Sequence, residues 1–146
     1  MAVAFHAGLF NIGGEGQAYL GGLGVALVAL TFDRYLPWPL LFPLAIAGAA
    51  LFGAAWALIP AWLQARFGSH VVITTIMFNF IAASLMVWLL TGVLKPAGSM
   101  QPETRTFEAG ATLPKLGGLF SALGADLGSA PLNITLFVAL AAAILV

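Results

Sequence analysis

Two stretches without a formal charge constrain this chain more than any motif: 31 residues separate Arg34 from Arg66, and 28 separate Arg66 from Lys95. Each exceeds the roughly 20 apolar residues needed to cross a hydrocarbon core. Shorter uncharged runs cover residues 16–32 and 127–146. Lipid offers no hydrogen-bond partner to an open backbone, and the runs lack the alternating apolar and polar pattern of barrel strands. The expected fold class is therefore all-α integral membrane: a polytopic helical bundle with about four transmembrane segments near 18–32, 40–63, 71–93 and 133–146, the first and last incomplete.

Composition closes off other classes. Of the 146 residues, 62% are hydrophobic and 7% charged, against about 25% charged in soluble domains. Five Lys and Arg balance five Asp and Glu without a basic run, so nucleic acid is not an expected partner. There is no cysteine, and the two histidines, His6 and His70, do not make a metal site alone. Neither a GxSxG elbow nor HExxH is present, the glycines fit neither phosphate-binding fingerprint, and Asp33 and Asp126 are expected at the surface. No catalytic residue, metal or cofactor is expected. The first ten residues lack the positive region of a signal peptide, and the last apolar run is short of a crossing, so the chain reads as a piece of a longer protein.

The connection Asp33–Pro39 pairs opposite charges, carries two prolines, and places Tyr35 and Trp38 where interfacial aromatics belong, which predicts a tight turn at the membrane surface. The connection at 64–70 has one fixed positive charge, Arg66, and leans cytoplasmic. The long loop at 94–132 holds Lys95, Arg105 and Lys115 against Glu103, Glu108 and Asp126, and charge leaves the orientation open. Within it, 116–127 suits a short surface helix.

Ala45, Ala49, Gly53, Ala57 and Ala61 recur every four residues, which lines small side chains on one face for close helix packing. Ala18, Gly22 and Ala26 repeat the device in the first segment, and Pro60 is expected to kink the second. The polar stretch from Asn11 to Gln17 sits between apolar runs. A carboxylate at membrane depth costs about 2.5–3.5 kcal/mol on insertion scales, which marks Glu15 as functional or as an acidic group at a helix start. The surrounding glycines let the backbone unwind, and broken helices with polar groups at mid-membrane form transporter sites. On the third segment Thr75 and Asn79 share a face at i,i+4; they line a pathway or bond a neighbouring helix. Phe10, Phe78 and Phe80 pack or stack on a planar ligand.

In order, these residues resemble the permease subunits of ABC importers, in the simple sugar and nucleoside branch of the ribose and branched-chain amino acid type. The resemblance is carried by Phe10-Asn11-Ile12-Gly13-Gly14-Glu15-Gly16-Gln17, by Gly53-Ala54-Ala55-Trp56-Ala57-Leu58-Ile59-Pro60, by Ala65-Arg66-Phe67-Gly68, and by the run from Val72 to Ala82. Val71 stands where that branch usually carries a glutamate, and the helix that docks on the ATPase has no counterpart. The resemblance implies a multi-pass protein of the cell inner (plasma) membrane that moves a nucleoside or simple sugar. It implies ABC ATPase subunits, a second permease subunit and an extracytoplasmic solute-binding protein as partners, with Arg66 facing the cytoplasm and 94–132 facing outward. Carried over by position, Asn11, Glu15 and Gln17 belong to a discontinuous first helix beside the path of a small polar solute, and Asn79 to the next polar helix. The other readings are a branched-chain amino acid permease, a noncatalytic membrane scaffold, and an intramembrane hydrolase that needs His6 or His70.

Overall fold

A computed structural model describes residues 12–115 and 133–145. The chain divides into two compact units, the first running through Ala111 and the second from Thr112. In the first unit lie α1 (Gly14–Phe32), α2 (Trp38–Phe67) and α3 (Val71–Trp88), the last continuing as a π-helical turn, Leu89–Val93; a short 3-10 turn, Ala109–Ala111, follows. In the second, α4 covers Thr135–Leu145, and an isolated antiparallel bridge pairs Lys115 with Asn133. No extended strand occurs among the described residues.

Two of these helices, Trp38–Phe67 and Val71–Val93, are long and apolar enough to cross a membrane. The first segment is diluted by Gly14, Glu15, Gly16 and Gln17, and the 11 residues of α4 rise only about 16 Å. Helix limits follow local chemistry. Pro37 caps α2 and Pro39 sits in its first turn, where a missing N–H costs nothing. At its other end Gly68 adopts φ 63° and donates to the Gln64 carbonyl at 2.9 Å, a left-handed stop that glycine takes without strain. Pro60 does not end α2, which continues to Phe67. The possible surface helix at 116–127 lies outside the described residues.

The three helices of the first unit assemble around α1. Against α2 it runs antiparallel: Gly16 faces Trp56, Gln17 faces Gly53, Gly21 faces Ala49 and Gly24 faces Gly48. A Cβ on Gly24 would collide with the carbonyl oxygen of Gly48 and lie 2.8 Å from its carbon, so the backbones touch. The seam on α1 is thus Gly21 and Gly24, whereas Gly22 faces open space and Ala18 is exposed. Four-residue spacing alone does not fix which small residues meet, because Gly21, Gly22 and Gly24 offer competing stripes. On α2, Ala45, Ala49, Gly53 and Ala57 are half-buried and Ala61 is exposed. Against α3, Leu20 and Leu23 enclose Ala82, with Leu27, Phe52, Trp56, Leu85 and Met86 packed around them.

Candidate functional site

The start of α1 lies part-way along its neighbours. Asn79 is eight residues into α3 and Trp56 is eleven residues before the end of α2, so Gly16, which meets both, lies about 12–16 Å of helix rise from the α2–α3 turn. A helix N-terminus presents unpaired N–H groups and positive dipole. Part of that demand is met from α3: the Gly16 N–H donates to Asn79 Oδ1 at 2.9 Å, and Asn79 Nδ2 donates to the Ile12 carbonyl at 3.0 Å. One side chain thereby holds two points of the entering chain. It fits only because Gly16 has no side chain, since a Cβ there would lie 2.9 Å from both Asn79 Oδ1 and Trp56 Nε1.

Trp56 completes the cluster. Its ring meets Phe78 edge-on at 5.5 Å, and its Nε1–H is buried without a hydrogen-bond partner among the described residues. Such an orphan donor costs about 1–3 kcal/mol. Nothing in the sequence singles this residue out, because a tryptophan in an apolar helix that also carries Trp38 and Trp62 reads as packing; only its level beside Gly16 sets it apart.

The expected site residues divide as follows. Gly14 to Gln17 form the first helical turn of α1 rather than an unwound stretch, with Gly13 as its cap, because Asn79 supplies from a distance the bonds that the glycines do not favour locally. Glu15 is exposed and accepts from Tyr19 Oη at 3.2 Å. Gln17 is half-buried, its backbone carbonyl opposite Gly53. Thr75 is buried, but its hydroxyl donates within its own helix, to the Val71 carbonyl at 2.7 Å. Asn79 therefore meets α1, Thr75 shares its face without joining the bonds, and Asn11 lies outside the described residues, as do Phe10 and His6. Phe80 is exposed.

The opposite end of α1 carries the structure's main electrostatic feature. Asp33, expected at the surface, is 2% exposed. Arg105 grips it in a fork, Nη1 to Oδ2 at 2.8 Å and Nη2 to Oδ1 at 2.9 Å, and also donates to the Leu30 carbonyl near the end of α1. The Glu108 N–H adds a bond to Asp33 Oδ2 at 2.9 Å, and Arg34 pairs with Glu108 at 3.3 Å in solvent. The turn's two opposite charges thus bond not to each other but to a strap, residues 105–108, more than 70 positions away. That separation hid the pairing from sequence reading.

The Arg105 hydrogen bond, against the opposing effect of burial, and then the Glu108 N–H hold the Asp33 carboxyl at about 2, below its ordinary 3.8. A depressed folded value means that the stabilisation is fully present above pH about 4 and is lost as pH falls toward about 2. A carbon-detected NMR titration of Asp33 should find its midpoint near the lower value; a midpoint near 4 would show that the fork is open.

The match to known proteins covers the whole chain. Residues 1–146 match the model of a family described as the permease component of branched-chain amino acid transport systems. The chain belongs to this permease family. The glucose ABC transporter permease protein TsgB13 of Haloferax volcanii is 42% identical over 77% of this permease chain and 29% of its own length. The guanosine ABC transporter permease protein NupP of Bacillus subtilis is 44% identical over 64% of the chain and 26% of its own length, and the nucleoside ABC transporter permease protein NupB of Lactococcus lactis is 45% identical over 55% and 22%. The permease chain spans less than a third of the length of these curated relatives. No solved structure matches it.

Proposed function

We propose that this chain is part of a permease subunit that moves a nucleoside or simple sugar inward across the cell inner membrane. In this reading ATPase subunits supply the energy, a second permease subunit completes the pathway, and a solute-binding protein delivers the solute to the side carrying the 94–132 loop. The permease family match supports the transport reading, and relatives named for glucose, guanosine and nucleosides favour neutral hydroxyl-rich solutes over branched-chain amino acids. The pathway runs beside the start of α1, bordered by Asn11, Glu15 and Gln17 on one side and by Thr75 and Asn79 on α3. The observation that carries this site is a helix beginning part-way along its neighbours, beside a buried indole N–H that has no partner among the described residues; in transporters, discontinuous helices end where solutes bind. We extend the reading to a discontinuous first helix and to four membrane segments that include α1 and α4.

The test is uptake of labelled guanosine and labelled glucose by cells carrying the full-length parent with its ATPase, with Glu15 intact or changed to Gln. Saturable uptake that falls at least tenfold in the Glu15→Gln variant, at equal membrane abundance, is the expected result. Unchanged uptake and preference would remove Glu15 from the pathway, and stability loss without a transport defect would favour the scaffold reading.

A further inference from the structure

We infer that the outward edge of α2 from Leu51 to Arg66 seats an anionic phospholipid, with Arg66 meeting the headgroup phosphate and the Trp62–Phe67 pair lying at the glycerol level. The inference rests on α2 crossing the membrane and not on which solute the permease carries.

Along that edge the side chains change character in the order of the parts of a lipid. Leu51, Leu58, Trp62 and Arg66 follow one another at seven- and four-residue steps, which keeps them on one side of the helix. Leu51 is 68% exposed, Leu58 66% and Trp62 59%, and Arg66 is exposed in the last turn. From Leu51 to Trp62 the helix rises about 16 Å, close to half of a hydrocarbon core about 30 Å thick. The next turn, about 6 Å, carries the cation past the ester level. Trp62 meets Phe67 edge-on at 5.5 Å. Such a ring pair, apolar in body and with one indole N–H, suits the headgroup boundary. At the other end of α2, Trp38 lies about 36 Å away along the axis, which brings it to the opposite interface of a bilayer about 40–45 Å across its headgroups.

Charge supplies the sign of the partner. Of the three arginines, Arg34 and Arg105 are matched by Glu108 and Asp33, whereas Arg66 forms no ion pair among the described residues. No Asp or Glu occurs anywhere from 34 to 102, so neither the end of α2 nor the first turn of α3 brings a carboxylate to it. The edge is thus apolar where acyl chains lie and carries an unmatched cation where phosphates lie.

Bimane attached through Leu58→Cys to the full-length permease, freed of other cysteines, reports the lipid at this edge. The labelled protein is reconstituted into vesicles of brominated phosphatidylglycerol with plain phosphatidylcholine, and into vesicles with the bromines on the other lipid. The ratio of quenching gives the local preference, expected to favour phosphatidylglycerol by about fivefold, the worth of one cation beside an anionic leaflet. Arg66→Gln should bring the two lipids to parity, Arg66→Lys should keep the preference, and excess inorganic phosphate should leave it unchanged. Equal quenching by the two lipids in the parent, a preference that survives Arg66→Gln or fails in Arg66→Lys, or displacement by inorganic phosphate overturns the seat. So does the absence of quenching by either lipid, which would mean that another helix or subunit covers Leu58. Solute uptake by the unlabelled parent reports separately on the permease reading.

Discussion

Replacing Gly24 by alanine is expected to push α1 and α2 apart and to lower the melting temperature of the detergent-solubilised parent protein. The added carbon would overlap the Gly48 carbonyl and lie 3.1 Å from Phe52 Cβ. Neither backbone can rotate away, so relief requires the helices to separate along the seam; overpacking of this kind costs about 1–3 kcal/mol, occasionally more. Gly22→Ala is the matched control, because nothing lies within 4 Å of its Cβ position. There the substitution should raise stability by up to about 1 kcal/mol through helix propensity alone. Equal melting of the two variants would mean that the crossing is not at Gly24.

Asn79→Ala is expected to have the second large effect. The variant removes both an acceptor and a donor, leaving the Gly16 N–H and the Ile12 carbonyl without their partner. With about 1–3 kcal/mol for each part-buried backbone group left unpaired, a loss of about 2–6 kcal/mol follows, read as earlier thermal unfolding and as rapid amide exchange at Gly16. Thr75→Val on the same face should cost far less, since that hydroxyl bonds only within α3. A mild Asn79→Ala phenotype paired with a severe Thr75→Val one would reverse the assignment of which polar residue holds α1.

These two positions also mark how much the sequence discloses. The uncharged run between His70 and Lys95 marks the third segment near 71–93, and the structure has a helix with its π-helical turn over Val71–Val93. The second was placed at 40–63 but extends over Trp38–Phe67, since proline at a helix start and arginine near its end look like loop residues until the cap geometry is known. The start of α1 lay four residues earlier than expected. Glycine propensity argued for unwinding there, and Asn79, 63 positions away, outweighed it. The polar residues of the site were visible as interruptions of apolar runs, but their partners were not: periodicity supplies a face, never its neighbour. Trp56 and the strap failed for the same reason, being ordinary in their local sequence and distinctive only in what they meet.

The strap has an electrical consequence. Of the ten Asp, Glu, Lys and Arg residues in the chain, four are drawn into two opposed pairs at this end, Asp33 with Arg105 and Arg34 with Glu108. Paired at contact distance, they leave only short-ranged multipoles, which fade well inside the screening length of about 8–10 Å in physiological salt. A surface built this way has no sign to offer an approaching molecule. Ions of either charge gain no capture advantage from these four groups, and an uncharged solute arrives at a rate that added salt does not change.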